Sequence, residues 1–265
     1  MTDKHLRRAG ASYQKGSAHV VLFGAIFIAL VSALGFVAYS SYRNQPSSAG
    51  SANTLGSAAG TAADSVSSIS IKNFRDASTT TGGTVLKKAV LYRSPQLSSI
   101  SSSQKSGLER LLAGKDARII DLRTEAQANA SPDKNIRGVR KVSAPMNGFH
   151  ETSSMVSDRI KRQQLAKALR MVIANRGPVL VHCTVGKDRT GWVVAMIMYI
   201  AGASDRQVYK EYAKSTEAYP SHDADWIKSG VSLAKKKYGS INGYLKKGVG
   251  LSDLEIRKLR NKFKA

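Results

Sequence analysis

A chain of 265 residues, 42% of them hydrophobic, is long enough for one substantial domain with appendages, and its one cysteine excludes an intramolecular disulfide. Its formal net charge is +23, from 41 Lys and Arg against 18 Asp and Glu, a field that draws in phosphate groups and acidic lipid surfaces unless it is merely a solvated cationic face. No nucleic-acid motif accompanies the charge, which argues against that partner.

Residues 1–19 form a basic N-terminus with Lys4, Arg7, Arg8 and Lys15. Val20 to Tyr39 follow without a charge. At about 1.5 Å per residue this run spans about 30 Å, the thickness of a hydrocarbon core. Only Arg43 stands immediately after it. The positive-inside bias therefore predicts a membrane helix over 20–39, with the N-terminus cytoplasmic and the remainder outside. The run exceeds a signal-peptide core and no small-x-small site closes it, which favours an uncleaved anchor over secretion after cleavage. Residues 40–65, rich in Ser, Ala and Gly, read as a flexible linker or plain spacer.

The domain expected over 66–265 holds 36 Lys and Arg against 16 Asp and Glu. Val85 to Tyr92 and Ala117 to Leu122 are strand candidates, and Gln104 to Leu112 a short helix. Ile160, Leu165, Leu169, Val172 and Ile173 mark the apolar face of a helix from about Ser157 to Asn175, closed by Gly177-Pro178. Val179-Leu180-Val181 reads as a short buried strand, and Trp192 to Ile200 as an apolar helix. The remainder is helical in pattern, and Ser252-Asp253-Leu254-Glu255 is a capping box opening the last helix. Strands alternating with helices predict an α/β layer fold with a central, mostly parallel sheet flanked by helices. Ligands bind such sheets at the carboxyl ends of the strands.

At one such end stands His182-Cys183-Thr184-Val185-Gly186-Lys187-Asp188-Arg189-Thr190-Gly191. This is the pattern Cys-x5-Arg-[Ser/Thr], the phosphate-binding loop of cysteine-dependent phosphatases. A free thiol ionises near pH about 8.5, and backbone N–H groups curled around the sulfur, with a helix N-terminus behind them, stabilise its thiolate. The same N–H groups, from Thr184 to Thr190, hold phosphate oxygens. Five intervening residues let Arg189 return as a bidentate fork on those oxygens. Gly186 permits a backbone conformation that a side chain would obstruct. Thr190 can donate its hydroxyl to the sulfur, and His182 is expected to support the loop by a hydrogen bond rather than act as a base. A buried, inert cysteine before a basic turn is the competing reading. No metal-ligand cluster or cofactor motif is evident.

The loop resembles that of the bacterial tyrosine and lipid phosphatases typified by the secreted mycobacterial and listerial enzymes. Asn73-Phe74-Arg75-Asp76, Leu91-Tyr92-Arg93-Ser94, Ile119-Ile120-Asp121-Leu122-Arg123 and Gly250-Leu251-Ser252 resemble other family segments in the same order, over about residues 68–265. The insertion of Ala77 to Thr81 before Gly82-Gly83 departs from the family. The resemblance implies a protein-tyrosine-phosphatase-like fold. It also implies activity on phosphotyrosine and phosphoinositides, with Lys187 as an added cation for a second phosphate.

The general acid stays open between Asp188, inside the loop, and Asp121, at a strand end; Asp121 could instead be a structural partner of Arg123. Asp223 and Asp225, beside His222 and Trp226, form a weaker third candidate or a helix start. Three functions follow. The first is a membrane-anchored phosphatase of phosphoproteins and phosphoinositides; the second is an inositol polyphosphate phosphatase; the third is a non-catalytic module that binds phosphorylated ligands.

Overall fold

The computed structural model of the protein describes residues 69–148, 151–220 and 224–265. The segments expected at 1–19, 20–39 and 40–65 lie outside the described residues. Among the described residues, no helix is long and apolar enough to cross a membrane.

The first part of the fold alternates strand and helix: β1 (Arg75–Asp76), β2 (Leu91–Ser94), α1 (Ser102–Leu112), β3 (Arg118–Asp121), α2 (Glu125–Ala130) and β4 (Arg140–Ser143). Two helices, α3 (Ser153–Ser157) and α4 (Arg159–Ile173), lead into β5 (Val179–His182). After it come α5 (Asp188–Ala201), α6 (Asp205–Ala218), α7 (Asp225–Tyr238), a helical turn α8 (Ile241–Gly243) and α9 (Asp253–Phe263). The sheet order is β1-β2-β5-β3-β4. Strands β2 to β5 pair in parallel and β1 lies antiparallel on the edge, as the mostly parallel expectation required.

Side chains alternate across the sheet, as the pleat dictates. Leu91, Ile120, Val179 and Val181 face the larger core with α4, α5 and α9. Tyr92, Ile119 and Leu180 face a smaller cluster built on Leu108, Leu111 and Leu112 of α1. Central strand β5 is buried on both faces, which explains why it opens as the apolar run Val179-Leu180-Val181 before His182. Helix α5 is apolar nearly all round because it packs against the sheet and against α6, α8 and α9. Each fully buried Val, Ile or Met on it contributes roughly 1.5–3 kcal/mol.

Two expected elements are corrected. The strand placed at Val85–Tyr92 pairs only from Leu91. Ala89 takes a left-handed φ of 60°, held by its N–H donating to Asp76 Oδ2 over 2.6 Å, and Leu86 makes only an isolated bridge to Lys264. The helix expected from about Ser157 to Asn175 is present as α4, Arg159–Ile173, and what differs is the face of its first apolar residue. Asp158 caps its start, accepting from the Ile160 and Lys161 N–H groups. Ile160 consequently sits in a first turn and is 59% exposed rather than on the core face. The capping box at Ser252 and Glu255 is formed as expected, and another at Ser101 and Gln104 starts α1.

Candidate active site

Strand register brings Ser94, His182 and Asp121 side by side at the carboxyl ends of β2, β5 and β3. Cys183 follows at once, 2% exposed, and the chain turns through Thr184 to Lys187 into α5. Gly186 has φ 70°, and a Cβ there would lie 2.2 Å from the Ser94 carbonyl oxygen. The glycine is thus required twice, by conformation and by close approach.

Four consecutive loop carbonyls are tethered from outside. The Gln96 N–H donates to Thr184 O over 3.0 Å, and Asn73 Nδ2 donates to Val185 O over 2.8 Å. Arg93 Nη2 donates to Gly186 O over 2.6 Å and to Lys187 O over 3.2 Å. In a trans peptide the C=O and the following N–H point in opposite directions. Tethering these carbonyls outward turns the N–H groups of Val185, Gly186, Lys187 and Asp188 toward the other side of the loop. Such a run of amides is a cradle for an oxyanion.

The tethers are themselves locked by α6. Buried Arg93 pairs with Glu211 Oε2, and Arg75 donates to Glu211 Oε1 over 2.9 Å and to Ser215 Oγ over 2.9 Å. Burial lowers the Arg75 pKa to about 10, with Glu211 opposing and the Arg93 charge adding to the fall. Asn73, in a left-handed φ of 65°, accepts from Arg75 and from Ser215 while it holds the loop. The segments Asn73–Asp76 and Leu91–Ser94 therefore brace the loop from one side.

The other side is an ionic network under His182. Arg123 donates to Asp121 through Nε and Nη2, and the Asp121 Oδ1 also accepts the Arg123 N–H. Arg123 Nη2 reaches Asp133 as well, 2.8 Å away. Asp133 accepts the Leu97 N–H over 2.7 Å and stands 3.3 Å from His182 Nε2. Burial pushes the Asp133 pKa up, but His182, the Leu97 N–H and Arg123 outweigh it and hold the carboxyl well below its usual range. His182 Nδ1 lies 3.3 Å from the Cys183 carbonyl oxygen. Asp121, Asp133 and His182 stand close enough to share an ion, yet the guanidinium of Arg123 already supplies the positive charge between the two carboxylates.

Arg189 lies in the first turn of α5, 9% exposed. Its Nη2 donates to Thr184 Oγ1 over 3.0 Å and its Nη1 to Gln127 Oε1 over 2.7 Å, so the fork folds back over the loop. Asp188, half-buried, accepts the Tyr212 hydroxyl at Oδ1 over 2.7 Å. Asp121 is buried with both oxygens engaged by Arg123, the structural partnership weighed as its alternative. Lys187 is fully enclosed and its Nζ donates to the Tyr219 carbonyl over 2.7 Å, which departs from the expected contact with a second phosphate. The Thr190 hydroxyl is buried and makes no hydrogen bond to the sulfur. Asp225 sits in the first turn of α7, while His222 and Asp223 lie outside the described residues.

Sequence reasoning missed Asp133, Glu211 and Tyr212. For the last two a signal existed. Val208, Glu211, Tyr212 and Ser215 fall at helical spacing on one buried face of α6, and a Glu on such a face needs a buried cation. Asp133 carries no comparable local pattern.

Fold and loop together define a protein-tyrosine-phosphatase-like hydrolase. The family model described as "Tyrosine phosphatase family" matches residues 66–265, and the chain belongs to that family. A tyrosine-protein phosphatase of Nostoc commune is 27% identical over 120 residues, which cover 34% of this chain and 40% of that protein. The triple specificity protein phosphatase PtpB of Mycobacterium tuberculosis is 22% identical over an aligned stretch of 265 residues, 71% of this chain and 95% of that protein. Among solved structures, P. aeruginosa TpbA in complex with pTyr is 19% identical, covering 72% of this chain and 96% of that chain with a TM-score of 0.39.

Proposed function

We propose that the protein hydrolyses phosphotyrosine, and with it other phosphoprotein and phosphoinositide monoesters, through a cysteinyl-phosphate intermediate. The outward tethering of four consecutive loop carbonyls next to Cys183 carries this reading, because it turns a row of amides to the opposite side of the loop, an arrangement suited to a phosphoryl group. PtpB, similar along 95% of its own length, is described as a triple specificity phosphatase, which supports the breadth.

The Cys183 thiolate attacks phosphorus in line. The loop amides and the Arg189 fork hold the equatorial oxygens as charge spreads over them. Asp188 gives its proton to the leaving oxygen, then takes one from the water that hydrolyses the thiophosphate. Asp188 is favoured over Asp121 because Arg123 occupies both Asp121 oxygens. The His182 contact with the Cys183 carbonyl steadies the loop. We further propose that residues 20–39 anchor the enzyme in the cell membrane and that 40–65 tether the domain outside the cytoplasm. Protease added to intact cells then removes the domain; its full protection would refute that placement.

Phosphate release by the full chain tests the activity, with Cys183→Ser and Arg189→Lys alongside. A phosphotyrosine peptide, a phosphoinositide and inositol hexakisphosphate are compared. Release from the first two that both substitutions abolish is expected, since a point charge cannot replace a planar fork. Substantial turnover by Cys183→Ser would sink the mechanism. Preference for inositol hexakisphosphate would move the protein to the inositol polyphosphate class, and binding without release would make it a phospho-ligand module.

A further inference from the structure

Tyr212 is fully enclosed, and its hydroxyl reaches from α6 into the catalytic loop to hold Asp188 Oδ1 over 2.7 Å. Three separate features fix the ring. It stacks on Trp226 of α7, with centroids 5.7 Å apart and planes 7° from parallel. Its edge passes over Gly191, where a Cβ would stand 2.7 Å from Tyr212 Cδ2, so only glycine lets the ring come so near the loop helix. The preceding residue, Glu211, is bound to both Arg93 and Arg75, and Arg93 holds the loop carbonyls. Helix α6 is therefore registered against the loop by an ion pair one residue before the phenol. That degree of fixation exceeds what is needed to fill space beside a half-buried aspartate.

We infer that Tyr212 is the positioning residue for Asp188: its O–H holds Oδ1, so that Oδ2 is the oxygen that carries the transferable proton. The inference rests on the reading of Asp188 as the acid and base. In the first step the S–P bond forms as the bond to the leaving oxygen breaks, and that oxygen takes the proton from Asp188 Oδ2. In the second step water bonds to phosphorus and gives a proton to the Asp188 carboxylate, while Cys183 departs as thiolate. The phenol keeps its own proton throughout. Its hydrogen bond prevents the carboxyl from rotating between the two steps, so one oxygen serves as both donor and acceptor.

The test exploits leaving-group chemistry with the purified full chain. p-Nitrophenolate departs without a proton, whereas the phenolate of phenyl phosphate needs one. Asp188→Asn is expected to lower kcat/KM for phenyl phosphate by roughly 10²–10⁴, the usual contribution of a general acid, and to affect p-nitrophenyl phosphate far less. Tyr212→Phe, which deletes one oxygen and keeps the stacked ring, is expected to cost phenyl phosphate turnover roughly tenfold, the scale of one hydrogen bond to a charged group, with the same bias between substrates. In the Asp188→Asn background Tyr212→Phe should add nothing, because the two act as a unit. Equal losses on both substrates by Tyr212→Phe alone, or additive losses in the double variant, would show a packing role and overturn the inference. An Asp188→Asn variant with no substrate bias would instead overturn the reading of Asp188, and this inference with it. Melting temperatures of each variant confirm that all are compared as folded protein.

Discussion

Arg93 and Glu211 meet at 2.5 Å with neither side chain more than 2% exposed, and the same guanidinium holds the carbonyls of Gly186 and Lys187. One buried charge pair thus joins strand β2, helix α6 and the catalytic loop. Its geometry explains how a buried arginine, Arg93, and a partly buried one, Arg75, stand beside a site built to attract anions. Their charge is compensated by Glu211, and the loop is braced through its carbonyl groups.

Glu211→Gln removes the carboxylate that both Arg75 and Arg93 share. Breaking a buried pair leaves uncompensated charge and costs about 3–5 kcal/mol. Denaturant unfolding should show a loss on that scale, with phosphate release falling in the protein that remains folded. A loss within experimental error would mean that water reaches the two arginines.

Gly186→Ala is expected to abolish useful turnover. The position has φ 70°, and the added methyl would meet the Ser94 carbonyl at 2.2 Å. The loop must shift, and a displacement near 1 Å in a catalytic array costs on the order of 100-fold in rate. Wild-type kcat/KM in the variant would contradict this account of the loop.

Asp133→Asn tests the network under His182. The folded carboxyl titrates below its ordinary value near 3.8, against the pull of burial, because His182, the Leu97 N–H and Arg123 favour its charged form. A depressed folded pKa contributes stability that is fully present above the unfolded pKa and is lost as pH falls through the folded one. The stability gap between wild type and Asp133→Asn should therefore be constant above pH about 4 and close on further acidification. Unfolding curves collected across the acid range decide it; a gap independent of pH would rule the linkage out.

Lys262 acts in the opposite region of pH. It lines a cleft with Lys87, Arg176 and Lys258 at the amino-terminal end of β5, and its Nζ donates to the Val172 and Asn175 carbonyls at the end of α4. Burial, with the Arg118 charge adding and Asp116 opposing, lowers its pKa from 10.5 to about 8. Between those values the unfolded chain binds more protons than the folded one, so stability rises with pH there. Lys262→Met should lose that rise. Comparison of unfolding free energies at pH about 7 and about 10 would show it, and an unchanged slope would count against the burial effect.

The sequence determined the elements whose causes are local. The β5 run, the Cys-x5-Arg spacing, the capping box at Ser252 and the alternation of strands with helices each rest on short-range chemistry, and each is present in the fold. Family membership was legible for the same reason, since its signature lies within ten consecutive residues.

What tertiary structure alone decided is which partner each polar group finds. Asp121 could have faced the ligand or Arg123, and the approach of Arg123 and Asp133 under the sheet edge settled its contacts. Lys187 could have pointed into the cradle, but the Tyr219 carbonyl at the end of α6 takes its ammonium. The strand at Leu91 was shortened by a turn that depends on Asp76, a residue on the neighbouring strand. Pairings across more than a hundred residues, such as Arg93 with Glu211, leave no periodic trace in either segment. Periodicity reports which face of an element is buried; it cannot report which buried charge will be met there, because that depends on the register of other elements against it.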